Sequence, residues 1–275
     1  MINPVVERSS TALALRNALY RDGIAGIPGA LPRTWAAQLK EDCAVLFDEA
    51  ISRPGGTVNR GTNRHYFAVH PERLRGFVDL VTHPVVTSLS ETVLGPDYRI
   101  LEVAFDVPLP GSLNQPWHRD FEMSGVERDE KRLTSLALNL TTVDVTPDMG
   151  PFEVAPGTQW DDGSRFAFGM FPDPDATERY ETLREQRTPK QGDMSVRTGL
   201  TIHRGTANGS TVPRPVLVVG IVSPDADLGP HEIEISSRFA QSLPPGLLGH
   251  LHCRIVDELA PLVQAHTIEG LVMGD

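Results

Sequence analysis

The spacing of apolar residues changes twice along the chain. Between about 97 and 223 the apolar runs are short, rich in Val, Leu and Thr, and interrupted by Pro and Gly, as in antiparallel strands. Before residue 96 and after residue 231 the apolar residues recur at helical spacing, which predicts N-terminal helices over 12–23, 34–52, 71–83 and 83–95. This order predicts a single domain over 1–275, mainly β, with a jelly-roll or barrel core (97–223) between a helical N-terminal part (1–96) and a helical C-terminal part (231–275).

Residues 52–73 do not fit this pattern, because they are too rich in Gly, Asn and Arg for a regular element. A loop of this length within a domain is often a lid or a binding loop. Its candidates for substrate contact are Arg60, Asn63, Arg64, His65 and Tyr66. A solvated loop without a role is an equally good interpretation.

Composition narrows the class of protein. The net charge of −11 over 275 residues argues against a nucleic-acid surface, which would show a basic patch. The absence of an apolar run of eighteen residues or of an N-terminal apolar leader predicts a cytoplasmic protein with no membrane partner. Two cysteines do not make a disulfide framework. The oligomeric state cannot be read from the sequence.

The first candidate for chemistry is the segment WHRDFE, which contains His118 and Asp120. It follows a predicted strand and a Pro- and Gly-containing loop, so it begins a new extended piece. In an extended chain residues i and i+2 share a face, so both side chains can reach one metal ion. His70 and Glu72 have the same spacing, but Pro71 predicts a helix there, in which neighbours two apart point away from each other.

The second candidate is the segment IHRGTANGSTVPRP, which contains His203 and Arg214. A strand-like run ends at His203, and a turn with Gly and Asn leads to a second apolar run headed by Arg214. We therefore expect two adjacent antiparallel strands that bring His203 and Arg214 to the same mouth of a barrel.

Two imidazoles and one carboxylate on one face form a site typical of non-haem iron(II), with open coordination positions. A 2-oxoacid can occupy two of these positions and O₂ a third. The far carboxylate of 2-oxoglutarate then needs a buried cation, and the planar fork of an arginine binds a carboxylate through two hydrogen bonds. His118, Asp120, His203 and Arg214 supply all of these groups.

These segments, together with GPFEVAPGTQW and VPRPVLVVG, resemble the phytanoyl-CoA dioxygenase-like family of iron(II)- and 2-oxoglutarate-dependent oxygenases. The resemblance covers about residues 97–223. It implies a double-stranded β-helix, iron ligands His118, Asp120 and His203, and Arg214 as the 2-oxoglutarate anchor. The chain departs from the family pattern at Gln159, where a histidine is frequent, and at Ile202, where an aromatic residue is frequent; neither change removes a metal ligand.

Other residues are weaker candidates. Polar side chains on core strands often complete the 2-oxoglutarate site in this family, and here they could be Thr134, Ser135 and Asn139. Arg197 precedes His203 on the predicted strand. It either faces the barrel, where it could bind a substrate carboxylate, or lies on the surface, which is the commoner location for arginine.

The resemblance implies a dioxygenase that uses Fe(II), 2-oxoglutarate and O₂ and oxidises an unactivated C–H bond of a small molecule, with release of succinate and CO₂. We predict hydroxylation, and we favour bacterial secondary metabolism as the setting. Two alternatives are left open: a cupin-like metal enzyme that does not use 2-oxoglutarate, and a non-catalytic barrel that binds a ligand. Arg214 argues against the first, and the intact ligand set argues against the second.

Overall fold

The core of the protein is a seven-stranded sheet in which all neighbouring strands are antiparallel. The computed structural model describes residues 4–227 and 232–264. In spatial order the strands are β1 (Ile24–Ile27), β8 (Met194–Arg197), β5 (Ser135–Thr141), β10 (Val216–Val222), β4 (Arg99–Pro108), β3 (Arg64–Ala68) and β2 (Val58–Asn59).

A smaller antiparallel sheet contains β7 (Glu185–Arg187), β6 (Phe152–Val154) and β9 (His203–Gly205), with β6 in the middle. An isolated bridge between His118 and His203 adds a fourth extended segment at the edge of β9. A cavity of about 1650 Å³ is lined by residues of both sheets.

Side-chain alternation gives the large sheet one apolar face and one face that carries both polar and apolar residues. On β4, Val103, Phe105 and Val107 belong to the main hydrophobic core, while Glu102 and Asp106 line the cavity. The apolar face packs against helices, which lie at α1 (Pro4–Asp22), α2 (Arg33–Ile51), α3 (Phe77–Val81) and α4 (Pro84–Leu94). Two further helices, α5 (Gly125–Glu130) and α6 (Pro174–Leu183), lie between strands of the middle region. The prediction of mainly β structure with flanking helices is confirmed.

The N-terminal part is less helical than predicted. β1, β2 and β3 all lie before residue 96 and join the large sheet. The segment 52–73, expected to be irregular, contains β2 and β3. On β3, Arg64 and Tyr66 face the cavity and Phe67 faces the core, so the polar residues that indicated a loop are the inward side of a strand. The helix predicted over 71–83 is divided by Gly76, whose φ is +85° and whose missing Cβ leaves room for the Trp35 ring.

The C-terminal part also differs from the helical prediction. β11 (Ile233–Ser236) and β12 (Cys253–Val256) form a parallel pair, and only the short helices α7 (Ser237–Ser242) and α8 (Leu247–His250) lie between them. Residues 257–264 form no regular element, and the predicted helical residues 265–275 lie outside the described part of the chain. Within the described ranges, no helix is long and apolar enough to cross a membrane.

Candidate metal centre

His118, Asp120 and His203 meet at one end of the small sheet. Two main-chain hydrogen bonds join His118 to His203, at 3.0 and 2.9 Å, and the amide of Asp120 donates to the carbonyl of Gly199 at 2.8 Å. One side-chain ligand atom of each of the three residues lies within 4.8 Å of the others. The i, i+2 spacing therefore places the His118 and Asp120 side chains next to each other, as the sequence predicted. Among the described residues, no other group of three ligand side chains lies within this distance.

Both imidazoles are oriented for metal binding. His118 Nδ1 is 2.8 Å from the Pro116 carbonyl oxygen, and His203 Nδ1 is 2.8 Å from that of Thr201. A carbonyl oxygen only accepts, so each Nδ1 carries the proton and each Nε2 has a free lone pair. His203 Nε2 lies 3.5 Å from Asp120 Oδ1. Such backbone partners fix the tautomer and ring orientation of metal-binding histidines, so these residues fit a divalent cation.

The protonation states also suit a metal. Burial lowers the pKa of His118 to about 4. Burial, with the nearby positive charge of Arg197, lowers the pKa of His203 well below its ordinary value. Burial alone would raise the pKa of Asp120, but Arg197 and the two histidines lower it below its ordinary value. At neutral pH the site therefore offers two neutral imidazoles and one ionised carboxylate.

The metal-free protein is expected to lose stability on acidification. The unfolded chain binds a proton on His118 below its ordinary pKa of 6.5, whereas the folded chain does so only near 4. Stability is thus fully present above pH 6.5 and falls as the pH drops from 6.5 towards 4. By pH 5 the loss from His118 is about 2 kcal/mol, which is about 1.4 kcal/mol for each of 1.5 pH units.

Urea unfolding of the metal-free protein at pH 7 and pH 5 measures this effect, with His118→Gln as the matched variant. The pH-dependent loss should be smaller in the variant by about 2 kcal/mol. Equal losses in the two proteins would show that His118 does not contribute.

Arg197 lies inside the protein, so the alternative of a surface location, which is commoner for arginine, is wrong. It is only 7% exposed and lines the cavity from β8. Its guanidinium forms an ion pair with Asp120, and its Nε is buried without a hydrogen-bond partner. Arg197 therefore neutralises and positions the carboxylate of the triad.

Arg214 is buried and lines the same cavity as His203. The expected strand arrangement is wrong, however, because His203 begins β9 in the small sheet and Arg214 precedes β10 in the large one. Burial, together with the positive charge of Arg64, lowers the pKa of Arg214 to about 10. The guanidinium is still charged at neutral pH, and its Nε is buried without a hydrogen-bond partner.

The three further polar candidates lie at or near β5. The hydroxyl of Thr134 donates to Glu127 Oε1 at 2.6 Å. Ser135 and Asn139 lie on the cavity side of β5, and the Ser135 hydroxyl is buried without a partner. The Ser135 hydroxyl is thus available to a ligand, whereas the Thr134 hydroxyl proton already has a protein acceptor and the Asn139 amide nitrogen donates to the Ala137 carbonyl at 3.3 Å.

The candidates from 52–73 divide between two environments. Arg60, Arg64 and Tyr66 line the cavity, where Arg60 lies 3.6 Å from the centre of the Tyr66 ring. His65 packs against Phe47 on the opposite face of β3, with 5.3 Å between ring centres. Asn63, in a turn with φ of +51°, donates to the Pro110 carbonyl at 3.3 Å. His65 and Asn63 therefore have structural roles.

His70 and Glu72 also have structural roles. Pro71 begins a short 3-10 helix (Pro71–Arg73). The two ring nitrogens of His70 lie 3.1 and 2.9 Å from the main-chain oxygens of Glu234 and Ala260, and the Glu72 carboxylate accepts from Ser236.

Among the cavity-lining residues that sequence reasoning missed, three contact candidate residues of the site. Asp106 accepts two hydrogen bonds from Arg64, Glu102 accepts one from Tyr66, and Phe152 lies 5.2 Å from the His203 ring. A signal for two of them was present, because Glu102 and Asp106 are acidic residues four apart and all the other residues of 100–108 are apolar. Side chains four apart on a strand share one face.

Comparison with known proteins identifies the family of this chain. The family model described as phytanoyl-CoA dioxygenase (PhyH) matches residues 19–216, which is more than half of the chain. These bounds include all three residues of the triad and Arg214.

Solved structures with a similar fold include two proteins of nogalamycin biosynthesis. The non-haem α-ketoglutarate-dependent carbocyclase SnoK has a TM-score of 0.63 and 20% identity, over 85% of this chain and 91% of its own. The epimerase SnoN, solved with Fe³⁺, α-ketoglutarate and nogalamycin RO, has a TM-score of 0.62 and 20% identity, over 96% and 98% of the two chains.

EctD from S. alaskensis, solved with 2-oxoglutarate and 5-hydroxyectoine, has a TM-score of 0.59 and 16% identity, over 75% and 74% of the two chains. At these identities the likeness establishes the fold. Of the two groups predicted from the sequence, SnoN was solved with both, as Fe³⁺ and α-ketoglutarate, and EctD with 2-oxoglutarate. On the evidence of the family model, this chain is a member of the phytanoyl-CoA dioxygenase (PhyH) family.

Proposed function

We propose that the protein is a non-haem Fe(II)- and 2-oxoglutarate-dependent dioxygenase that hydroxylates an unactivated C–H bond of a small molecule in bacterial secondary metabolism. The observation that carries the proposal is the triad of His118, Asp120 and His203, with both Nε2 atoms free and the carboxylate ionised. Its donor set and protonation are those that iron(II) requires. The proposal assigns the three residues as iron ligands.

The second support is the unpaired cation Arg214. A guanidinium in a cavity wall, with its Nε lacking a partner, is a site for an anion. We assign it to the distal carboxylate of 2-oxoglutarate, with Ser135 and Asn139 as further polar contacts. A cupin-like enzyme without 2-oxoglutarate would have no use for this buried charge.

The iron, when bound, supplies the oxidation in which 2-oxoglutarate and O₂ give succinate and CO₂ as the substrate is oxidised. The protein's residues position and shield the reacting groups. Arg197 holds the Asp120 carboxylate, and the Pro116 and Thr201 carbonyls hold the two imidazoles. Phe152 and Phe171, whose rings lie 5.2 and 6.0 Å from the rings of His203 and His118, form an apolar wall that limits access of water.

The same proposal extends to the architecture. We assign the seven-stranded and three-stranded sheets as the two halves of a double-stranded β-helix, because residues of both line one cavity. The neighbours include a carbocyclase and an epimerase by their titles, so the hydroxylation is an assignment about this chain that product analysis must test.

Succinate formation tests the proposal. The purified protein, loaded with Fe(II) under anaerobic conditions, is mixed with 2-oxoglutarate and O₂, and succinate is measured for the wild type and for Arg214→Met. We expect slow substrate-independent succinate from the wild type. The variant should need about 10- to 100-fold more 2-oxoglutarate for the same rate, because it loses charge-assisted hydrogen bonds.

Two other outcomes would contradict the proposal. An iron-loaded wild type that neither binds 2-oxoglutarate nor forms succinate would favour the cupin-like alternative. A wild type that does not retain iron would favour a non-catalytic barrel.

A further inference from the structure

A second arginine lies beside Arg214 in the cavity, on the strand next to the edge of the large sheet. Arg64 on β3 donates from Nε and Nη2 to the two carboxylate oxygens of Asp106 on β4, at 3.0 and 2.9 Å. Its side chain is 2% exposed. Asp106 pairs across the sheet with Val216, two residues after Arg214. The three charged groups therefore lie together where β3, β4 and the start of β10 meet.

Arg64 reaches from the large sheet to the strand that carries His203. A Cβ placed on Gly205 would lie 1.9 Å from Arg64 Nη2, 2.2 Å from Nη1 and 2.3 Å from Cζ. The guanidinium thus fills the space that a side chain at position 205 would take. Since His203 and Gly205 are two apart on β9, the guanidinium and the candidate metal ligand lie on the same face of that strand.

The cluster of Arg64, Arg214 and Asp106 has an excess of positive charge and of hydrogen-bond donors without a protein partner. Arg64 and Arg214 carry two positive charges and Asp106 one negative charge, which leaves a net charge of +1. Arg64 Nη1 and Arg214 Nε are both buried without a hydrogen-bond partner. Unpaired donors in a buried site are costly, and the cost is higher when they are charged. An anion with two acceptor oxygens would satisfy both donors and the excess charge.

A purely structural role for Arg64 explains fewer of these facts. Asp106 pairs with Arg64, and its pKa stays below the ordinary value because Arg64 and Arg214 outweigh the effect of burial. The two arginines, however, flank the same residue of β4, since Arg64 pairs with Pro108 across the sheet and the Arg214 amide donates to the Pro108 carbonyl at 3.1 Å. A residue that only held the two sheets together would not need a second cation beside its guanidinium group.

We propose that Arg64 and Arg214 together bind the distal carboxylate of 2-oxoglutarate, and that Asp106 positions Arg64 for this contact. The inference rests on the proposed function and adds a residue to it. It makes the cavity selective for 2-oxoacids with a second carboxylate, because a ligand without one leaves two guanidinium groups unpaired.

Equilibrium binding tests the inference without turnover. Calorimetry on the anaerobic, Fe(II)-loaded protein gives the Kd for 2-oxoglutarate and for 2-oxovalerate, which has the same five-carbon chain but no distal carboxylate. The ratio of the two values is independent of partial loss of folded protein. We expect Arg64→Met to reduce this selectivity about 10- to 100-fold and Arg64→Lys to reduce it less, since lysine keeps the charge but not the fork.

Arg204→Met is the matched control. Arg204 lies between His203 and Gly205 but pairs with Glu153 and Glu181 instead of lining the cavity. Its loss should leave the selectivity unchanged. If Arg64→Met does not fold, Gly205→Ala serves instead, because the added Cβ displaces the guanidinium while all the charges remain.

The outcomes separate the inference from the function on which it rests. Wild-type binding of 2-oxoglutarate with undiminished selectivity in Arg64→Met, or in Gly205→Ala where that variant is used, would overturn the role of Arg64 and leave the oxygenase proposal standing. No binding of 2-oxoglutarate by the iron-loaded wild type would overturn both.

Discussion

Replacing His203 by alanine is expected to abolish iron(II) binding at the triad and to reduce 2-oxoglutarate-dependent succinate formation by more than about 100-fold. Loss of a residue that hydrogen-bonds to a metal ligand costs about 10- to 100-fold in metal affinity or activity, and loss of the ligand itself should cost more. His203 is one of three ligands, so the variant would keep only His118 and Asp120. The Asp120 carboxylate would still be paired with Arg197.

The measurement is iron content after anaerobic loading and desalting, followed by the succinate assay. His83→Ala is the matched control, since His83 caps α4 by accepting a hydrogen bond from the Val85 amide at 3.3 Å and does not line the cavity. It should retain iron and activity. Stoichiometric iron in His203→Ala would show that the metal lies elsewhere.

Replacing Asp106 by alanine is expected to destabilise the metal-free protein by about 3 to 5 kcal/mol, the usual cost of removing one partner of a buried ion pair. The reason is the arginine that remains. Arg64 would be buried with all of its charge uncompensated, close to a second buried cation. Urea unfolding of the wild type and the variant measures the difference.

The double variant Asp106→Ala/Arg64→Met should be more stable than Asp106→Ala alone, because it also removes the unpaired charge. Asp144→Ala serves as the surface control, since Asp144 and its partner Arg33 are both exposed and should matter little. If Asp106→Ala were no less stable than the double variant, Arg64 would not depend on Asp106 for its charge balance.

The sequence predicted the candidate site better than it predicted the strands around it. The i, i+2 rule brought His118 and Asp120 to one face, and the charge of Arg214 marked it as a buried cation. The run from 193 to 203 was taken as one strand, but it divides into β8 and β9 in different sheets. Leu200 and Ile202, in the crossing between them, are fully buried, so the apolar pattern continues through a turn.

Cavity-facing polar residues explain the other errors. β3 was expected to be a loop because the segment 52–73 is rich in Gly, Asn and Arg, yet Arg64 and Tyr66 are the cavity-facing residues of a strand. Glu102 and Asp106 were overlooked for the same reason. At the C-terminal end, β12 follows α8 after only two residues, and the apolar spacing over so short a stretch fits a helix or a strand.

The contact between Arg64 and Gly205 has a consequence for how this sequence can change by mutation. Any residue other than glycine at 205 overlaps the guanidinium, and a shorter residue at 64 leaves both Asp106 and the space beside β9 without a partner. A single substitution at either position is therefore unfavourable, whereas a simultaneous substitution at both positions need not be. Positions 64 and 205 should therefore show strong epistasis, although 140 residues separate them in the sequence.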